Sequence, residues 1–215
     1  MPFDKRKNVF ISGSAYEYGR FGEDNGRHFI RDLSKTLLKN GFKIISGFGS
    51  GVGNYVIEGA LHCIYLEQKD KVTDQLKVYP FPSMNGENTL NGGINLYGGT
   101  TLNGQADNIH THYRDDIISQ AGIAIFLFGN KLTDISVREA DGMREEFEIA
   151  KSHKALLIPV GASGYISEKL WNDIVARYDE YFDSRKKFEW YESLGNPAAR
   201  PDELIDAIVK IALYE

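Results

Sequence analysis

The sequence IISGFGSGVGNYVIEGA, residues 44–60, carries the strongest structural signal in the chain. An apolar strand pattern runs into glycines at alternate positions, Gly47, Gly49, Gly51 and Gly53, and a helix pattern follows. A loop so poor in side chains lets backbone N–H groups approach a phosphate, with the positive end of a helix dipole behind them. These residues therefore predict a strand–loop–helix unit that binds a nucleotide-like anion.

Strand and helix patterns alternate along the rest of the chain. Short, continuously apolar strands are predicted at 8–12, 42–46, 76–79, 123–128 and 155–160. Helical spacing of apolar residues predicts helices at 25–40, 55–67, 111–120 and 142–153, and two or three more after residue 164. This order predicts an α/β fold, a doubly wound parallel sheet of five or more strands covered by helices. The carboxyl ends of such strands share one edge, where ligands bind.

The segment 83–108 differs from its surroundings. It is crowded with Gly and Asn and has little periodicity, which is typical of a functional or disordered loop. The alternating pattern resumes after it. We therefore expect one domain over residues 1–215 with an insertion at about 83–108.

Bulk composition excludes several classes of protein. A net charge of −5 disfavours a nucleic-acid-binding protein, and the single Cys63 precludes an intrachain disulfide. No apolar run reaches the ~20 residues that span a bilayer, and the first residues lack the apolar core of a signal peptide. These features predict a cytoplasmic protein that binds neither nucleic acid nor membrane.

The glycine run matches neither of the common nucleotide motifs. The dinucleotide fingerprint needs G-x-G-x-x-G after the first strand, whereas G-x-G-x-G-x-G follows the second strand here. No Gly-Lys-Ser/Thr follows it, as a Walker loop requires. The alternative is a tight strand-to-helix turn, for which one or two glycines would suffice.

Two cations are candidates for binding the anion. Arg114 is either a solvated charge, a partner of Asp115, or a bidentate fork for phosphate over the cleft. Lys131 directly follows the fourth strand, beside the predicted cleft. Their positions raise the expectation that both face the same anion.

Acidic residues open the helix at 142–153. Glu145, Glu146 and Glu148 fit the favourable charge of a first helical turn and need no function for that. The same helix N-terminus points into the predicted cleft, where a carboxylate accepts hydrogen bonds from ribose hydroxyls. Both interpretations stay open from the residues alone.

Signals for metal binding or hydrolysis are weak. His110 and His112 have no companion ligands at the usual spacing, so no metal is expected. Ser12, Ser14 and Ser46 end strands, but no G-x-S-x-G motif surrounds them, so no hydrolase nucleophile is indicated.

Together these blocks resemble the SLOG superfamily, and within it the sensor domains of bacterial Thoeris anti-phage effectors. The resemblance rests on six segments: FISGSA (10–15), ISGFGSGVG (45–53), PFP (80–82), YRDD (113–116), IFLFGNK (125–131) and ADGMREEFE (140–148). They span most of the chain and are specific as a set.

The LOG enzymes of this superfamily cleave nucleotide N-glycosidic bonds with an arginine and the glutamate of P-G-G-x-G-T-x-x-E. Glu146 matches the motif glutamate, since Gly142 stands at the last motif glycine. Met143 replaces the threonine, and residues 138–141 lack the two leading glycines that help cradle the substrate phosphate. The resemblance therefore favours recognition over hydrolysis.

The Thoeris resemblance implies a receptor for a cyclic ADP-ribose isomer, of 2′ or 3′ type, made by TIR-domain proteins. It implies that Arg114 and Lys131 bind the pyrophosphate and that Glu146 holds a ribose or the base. The strand-end loops supply the other expected ligand-binding residues: Gly13, Ser14, Phe48, Gly49, Gly51, Phe81, Gly129 and Asn130.

The same resemblance implies partners. A sirtuin-like NAD-hydrolysing domain accompanies such sensors in longer effectors, and the sensor is expected to form a homodimer or a higher homo-oligomer. On this basis the chain itself has no catalytic residues and no cofactor. The alternative function is a nucleoside 5′-monophosphate phosphoribohydrolase of LOG type.

Overall fold

In a computed structural model, the chain forms a parallel sheet flanked by helices. The structure describes residues 5–68, 72–79 and 106–214. Its strands are β1 (Asn8–Ser14), β2 (Lys43–Ser46), β3 (Leu76–Val78), β4 (Ile123–Phe128), β5 (Asn130–Leu132), β6 (Val137–Glu139) and β7 (Leu156–Pro159). Its α-helices are α1 (Gly22–Lys39), α2 (Gly53–His62), α3 (Val72–Gln75), α4 (Ala106–Ile118), α5 (Gly142–Ser152), α6 (Tyr165–Ala176), α7 (Tyr178–Tyr181), α8 (Phe188–Ser193) and α9 (Pro201–Leu213).

Five strands form the main sheet in the order β3-β2-β1-β4-β7, and every pairing is parallel. The chain moves outward from β1 to β3, then returns to add β4 on the other side of β1. The strand order therefore reverses between β1 and β4, which is where open α/β sheets bind ligands. The predicted fold class is confirmed.

Apolar burial explains why these elements form. All six residues of β4 are buried, because a central parallel strand is covered on both faces. Helix α1 buries one stripe of apolar side chains at helical spacing: Phe29, Ile30, Leu33, Leu37 and Leu38. It packs on α2, β2 and α9, while α5 packs on α4, β4 and β7.

The structure corrects several predicted boundaries. The helix predicted at 111–120 runs from Ala106 to Ile118, so the last three residues of the expected insertion are helical. The helix predicted at 55–67 divides into α2 and a π-helical segment, Cys63–Gln68. Four α-helices, two of them very short, follow β7 instead of two or three.

An antiparallel hairpin of β5 and β6 was not predicted. Each strand has only three residues, too few to show an alternating pattern. The Thr133 N–H and hydroxyl both donate to the Ser136 carbonyl, which closes the turn. The residues directly after β4 thus form a small hairpin beside the sheet edge.

Phe81 and most of the expected 83–108 insertion lie outside the described residues. Among the residues that are described, no helix has both the length and the apolar character needed to cross a bilayer.

Candidate functional site

The floor of the candidate site is the carboxyl edge of β1 and β4. Ser14 and Phe128, the last residues of these strands, are paired in the sheet, and the Gly129 N–H donates to the Ser14 carbonyl at 2.9 Å. The Ser14 hydroxyl oxygen is buried and has no hydrogen-bond partner in the described part of the chain. Such atoms are uncommon and costly. Ser14 therefore has an unsatisfied hydroxyl at the sheet edge where a ligand is expected.

Arg114, on α4, reaches across to the start of α5. Its Nη1 donates to the Glu145 carboxylate, and its Nε lies 3.4 Å from Glu146 Oε1. Asp115 instead faces His153, at 2.7 Å between Asp115 Oδ1 and His153 Nε2. The interpretation of Arg114 as a solvated charge or a partner of Asp115 is therefore wrong.

Gly142 makes room for this guanidinium. A Cβ atom at Gly142 would lie 2.5 Å from Arg114 Nη2, so a side chain there would push the guanidinium away. The glycine that matches the last glycine of the LOG motif thus serves to seat an arginine at the N-terminus of α5.

Glu146 is fixed from two sides. The Ser12 hydroxyl donates to Glu146 Oε2 at 2.5 Å, and Arg114 stands at the other oxygen. Burial raises the pKa of Glu146 because it disfavours the charged form, and this outweighs the opposing effects of Ser12 and Arg114. A carboxyl in this setting is well placed to exchange hydrogen bonds with a hydroxyl or a base.

Ser12 connects Glu146 to the unpartnered Ser14. Side chains two residues apart on a strand point to the same face, so Ser14 follows Ser12 on the face that meets Glu146. Sequence reasoning considered Ser12 only as a nucleophile and missed its role as the donor that orients Glu146. A hydroxyl at a strand end was the one available signal.

Lys131 lies on β5, at the side of the same helix N-terminus. Its Nζ is 3.7 Å from Asp141 Oδ2, and its side chain is half exposed. Asp141 and Gly142 are consecutive, and Arg114 packs on Gly142. The two predicted cations therefore contact neighbouring residues at the start of α5, whose dipole favours an anion.

The glycine loop packs on the end of β1. A Cβ at Gly49 would lie 1.9 Å from the Gly13 carbonyl oxygen, and one at Gly51 would lie 1.8 Å from that of Ala15. The Ala15 N–H donates to the Ser50 carbonyl at 2.9 Å. These glycines, together with Gly13, thus permit two backbone segments to touch. Whether Gly13, Gly49 and Gly51 also contact a ligand stays a prediction.

Phe48 stands in the same loop with a strained backbone. Its φ is +60°, and its N–H donates to the Ser46 hydroxyl at 3.2 Å. Non-glycine residues held at positive φ cluster at functional sites. The ring is partly exposed at the strand end. This placement is compatible with its predicted contact with a ligand.

Gly129 and Asn130 shape the opposite wall. A Cβ at Gly129 would lie 2.6 Å from both Met143 Sδ and Ile166 Cβ, so the glycine lets α5 and α6 approach the end of β4. The buried Asn130 amide accepts from the N–H groups of residues 16 and 17 and donates to the Glu17 carbonyl. Asn130 thus holds the loop after β1, and its predicted contact with a ligand stays a prediction.

Two clefts open at the opposite edge of the sheet. Clefts of about 450 Å³ and about 390 Å³ open near Ile123 and Leu156, where β4 and β7 begin. Both are on the edge opposite to the candidate site. Within residues 5–68, 72–79 and 106–214, His, Cys, Asp and Glu form no group of three or more suited to a metal.

Comparison with known proteins shows the family of the chain. A model of the Sir2- and TIR-associating SLOG family matches residues 3–214. The chain is 38% identical to the NAD(+) hydrolase ThsA of Cytobacillus dafuensis over 209 residues, 96% of this chain and 39% of that protein. It is 37% identical to ThsA of Bacillus cereus strain MSX-D12, again over 96% of this chain and 40% of that protein.

The fold has a distant counterpart among solved structures. The X-ray structure of TM1055, a structural genomics target, superposes with a TM-score of 0.50 at 15% identity, over 77% of this chain and 80% of that chain. This likeness shows the fold alone.

The chain spans about two fifths of the length of the ThsA relatives that it matches. The family match, in contrast, extends over nearly every residue of this chain. The chain belongs to the Sir2- and TIR-associating SLOG family.

Proposed function

We propose that this chain is a sensor that binds a cyclic ADP-ribose isomer at the carboxyl edge of its sheet. Arg114 and Lys131 bind the pyrophosphate, and Glu146 and Ser14 bind ribose hydroxyls or the base. The observation that carries the proposal is that Arg114 and Lys131 contact consecutive residues, Gly142 and Asp141, at the start of α5. A guanidinium, an ammonium and a helix dipole together favour a compact dianion.

The relatives support a proposal for the partner. They are named NAD(+) hydrolases, and this chain matches about two fifths of their length. We infer that ligand binding here controls a NAD-hydrolysing, sirtuin-like domain in anti-phage defence, through a change in how sensor domains assemble. A ligand shifts such an equilibrium only by its differential affinity for the two assemblies.

Thermal unfolding with each cyclic ADP-ribose isomer tests the proposal. A ligand at one hundred times its Kd stabilises a protein by about 2.7 kcal/mol. For a domain of this size each kcal/mol raises Tm by about 2–4 °C. We therefore expect a rise of several degrees with at least one isomer. No rise with any isomer at millimolar concentration would contradict the proposal.

A LOG-type phosphoribohydrolase is the second candidate. The observation in its favour is the Ser12–Glu146–Arg114 arrangement, which places a carboxyl of raised pKa beside a guanidinium. Incubation with AMP separates the candidates, because only the hydrolase releases free adenine. Steady release that Glu146→Gln abolishes would favour the enzyme.

A further inference from the structure

Glu145 bridges two residues of α4. Its Oε2 accepts from Arg114 Nη1, while its Oε1 accepts from the Thr111 hydroxyl at 2.6 Å. Thr111 and Arg114 are three residues apart, so both side chains lie on one face of the helix. The carboxylate is thereby held against the guanidinium by a second, independent hydrogen bond.

The two carboxylates on Arg114 differ in how exposed they are. Glu146 is bonded to Ser12 within the sheet edge, and its side chain is 23% exposed. Glu145 is 36% exposed, and the partners of its carboxylate are both on α4. Each carboxylate has one hydrogen bond besides its contact with Arg114, so exposure is what distinguishes them. Glu145, the more exposed, can leave Arg114 and Thr111 by a side-chain rotation into solvent.

Glu145 also occupies the part of the guanidinium that a phosphate needs. An arginine binds phosphate through two parallel N–H groups, in the same way as it binds a carboxylate. Glu145 is bonded to Nη1 and Glu146 stands near Nε, while Nη2 lies beside Gly142, which has no side chain. A phosphate that binds through Nη1 and Nη2 therefore needs the Nη1 group that Glu145 occupies. A phosphate that binds Arg114 must compete with this carboxylate.

We propose that Glu145 is a built-in competitor that sets the affinity of the site for its anion. The inference rests on the proposed function and deepens it. Displacing Glu145 costs the same free energy whichever anion takes its place. The affinity of every ligand that binds Arg114 is therefore lowered by the same factor. The site then fills only at a higher ligand concentration than Arg114 alone would require.

Glu145→Gln tests the inference, because it preserves size and the bond from Thr111 but removes the charge. Hydrogen bonds to charged groups contribute about 1 kcal/mol more than neutral ones. We expect a cyclic ADP-ribose isomer and inorganic pyrophosphate both to bind about five- to tenfold more tightly to the variant in calorimetric titrations. Glu148→Gln is the matched control, an exposed glutamate of the same helix, and should leave both affinities unchanged.

A second measurement needs no nucleotide. Phenylglyoxal modifies free guanidinium groups, and mass spectrometry reports its rate at Arg114. We expect a severalfold faster modification of Arg114 in Glu145→Gln than in the wild type or in Glu148→Gln. Equal rates in all three proteins would overturn the inference.

The calorimetric titrations and the phenylglyoxal measurement together distinguish a failure of the inference from a failure of the proposed function. If the wild type binds an isomer and Glu145→Gln binds it no more tightly, the inference is wrong and the sensor function stands. If no isomer binds either protein while Arg114 is modified faster in Glu145→Gln, the contact between Glu145 and Arg114 is supported and the sensor function is wrong.

Discussion

The Glu146 carboxyl is held in the candidate site between Ser12 and Arg114. Burial raises its pKa above the ordinary value of 4.5, despite the Ser12 hydroxyl and the Arg114 guanidinium. Its folded form therefore binds a proton more tightly than its unfolded form. Perturbed pKa values of this kind cluster at functional sites.

This raised pKa predicts a pH dependence of stability. The contribution of Glu146 is fully present below pH 4.5 and is lost as the pH rises through the pKa of the folded state. Glu146→Gln does not titrate. We expect the Tm of the wild type, relative to that of the variant, to fall as the pH is raised above 4.5 through the pKa of the folded state. A difference that stays constant across this range would contradict the burial of the carboxyl.

Arg114 should carry much of the binding free energy. Hydrogen bonds to charged groups contribute about 1.5–3 kcal/mol, so we expect Arg114→Ala to weaken isomer binding at least about tenfold by calorimetry. Arg144→Ala is the control, because Arg144 is an exposed arginine of α5 that pairs with Glu139 at 3.5 Å. Equal losses in the two variants would mean that net charge matters and that the position of Arg114 does not.

At the scale of elements, the structure gives the glycine loop a packing role that the sequence does not predict. Its spacing predicted a loop that exposes N–H groups to an anion. In the folded chain Gly49 faces the carbonyl oxygen of Gly13 in β1, and Gly51 faces that of Ala15, directly after β1. No local pattern contains that contact, because it depends on how the first and second strands pair. Gly51 also has φ +73°, which an L-residue with a side chain adopts only with strain.

Substitutions in this loop should separate the glycines that pack from the one that does not. Gly51→Ala places a Cβ 1.8 Å from the Ala15 oxygen, so we expect a loss of about 2 kcal/mol or more in the free energy of unfolding. Gly47→Ala is the matched control, since its Cβ has only a Phe10 ring carbon at 3.8 Å. Chemical denaturation of both variants measures the effect, and similar losses would contradict the packing role.

Local sequence predicted the strands well and the side-chain contacts poorly. Continuous apolar runs located β1, β2 and β4, because central parallel strands are buried on both faces. The Glu145–Arg114 contact joins residues 31 positions apart on different helices, and no periodicity reports such a contact. The sequence predicts the start of α4 too late, because the first residues of the helix are mostly polar and show little apolar periodicity.

At the scale of the whole molecule, topology brings the site together. Ser12 and Ser14 come from β1, Arg114 from α4, Lys131 from β5 and Glu146 from α5. These residues are spread over more than half of the chain, and the reversal of strand order between β1 and β4 gathers them at one edge. The six sequence blocks that resemble SLOG proteins include all of these residues.

A sensor of this kind should change its assembly when its site fills. We expect sedimentation velocity to show a shift in the distribution of oligomers on addition of the isomer that stabilises the chain. Arg114→Ala should remove the shift at the same ligand concentration. An identical distribution with and without saturating ligand would exclude regulation through assembly of this chain.

The most direct test of the sensor account is a calorimetric titration with a cyclic ADP-ribose isomer, followed by chromatography of the recovered ligand. We expect saturable binding to the wild type and weaker binding to Arg114→Ala. The ligand should be recovered intact. Failure of every isomer to bind, or recovery of the ligand as cleaved base and sugar phosphate, would contradict it.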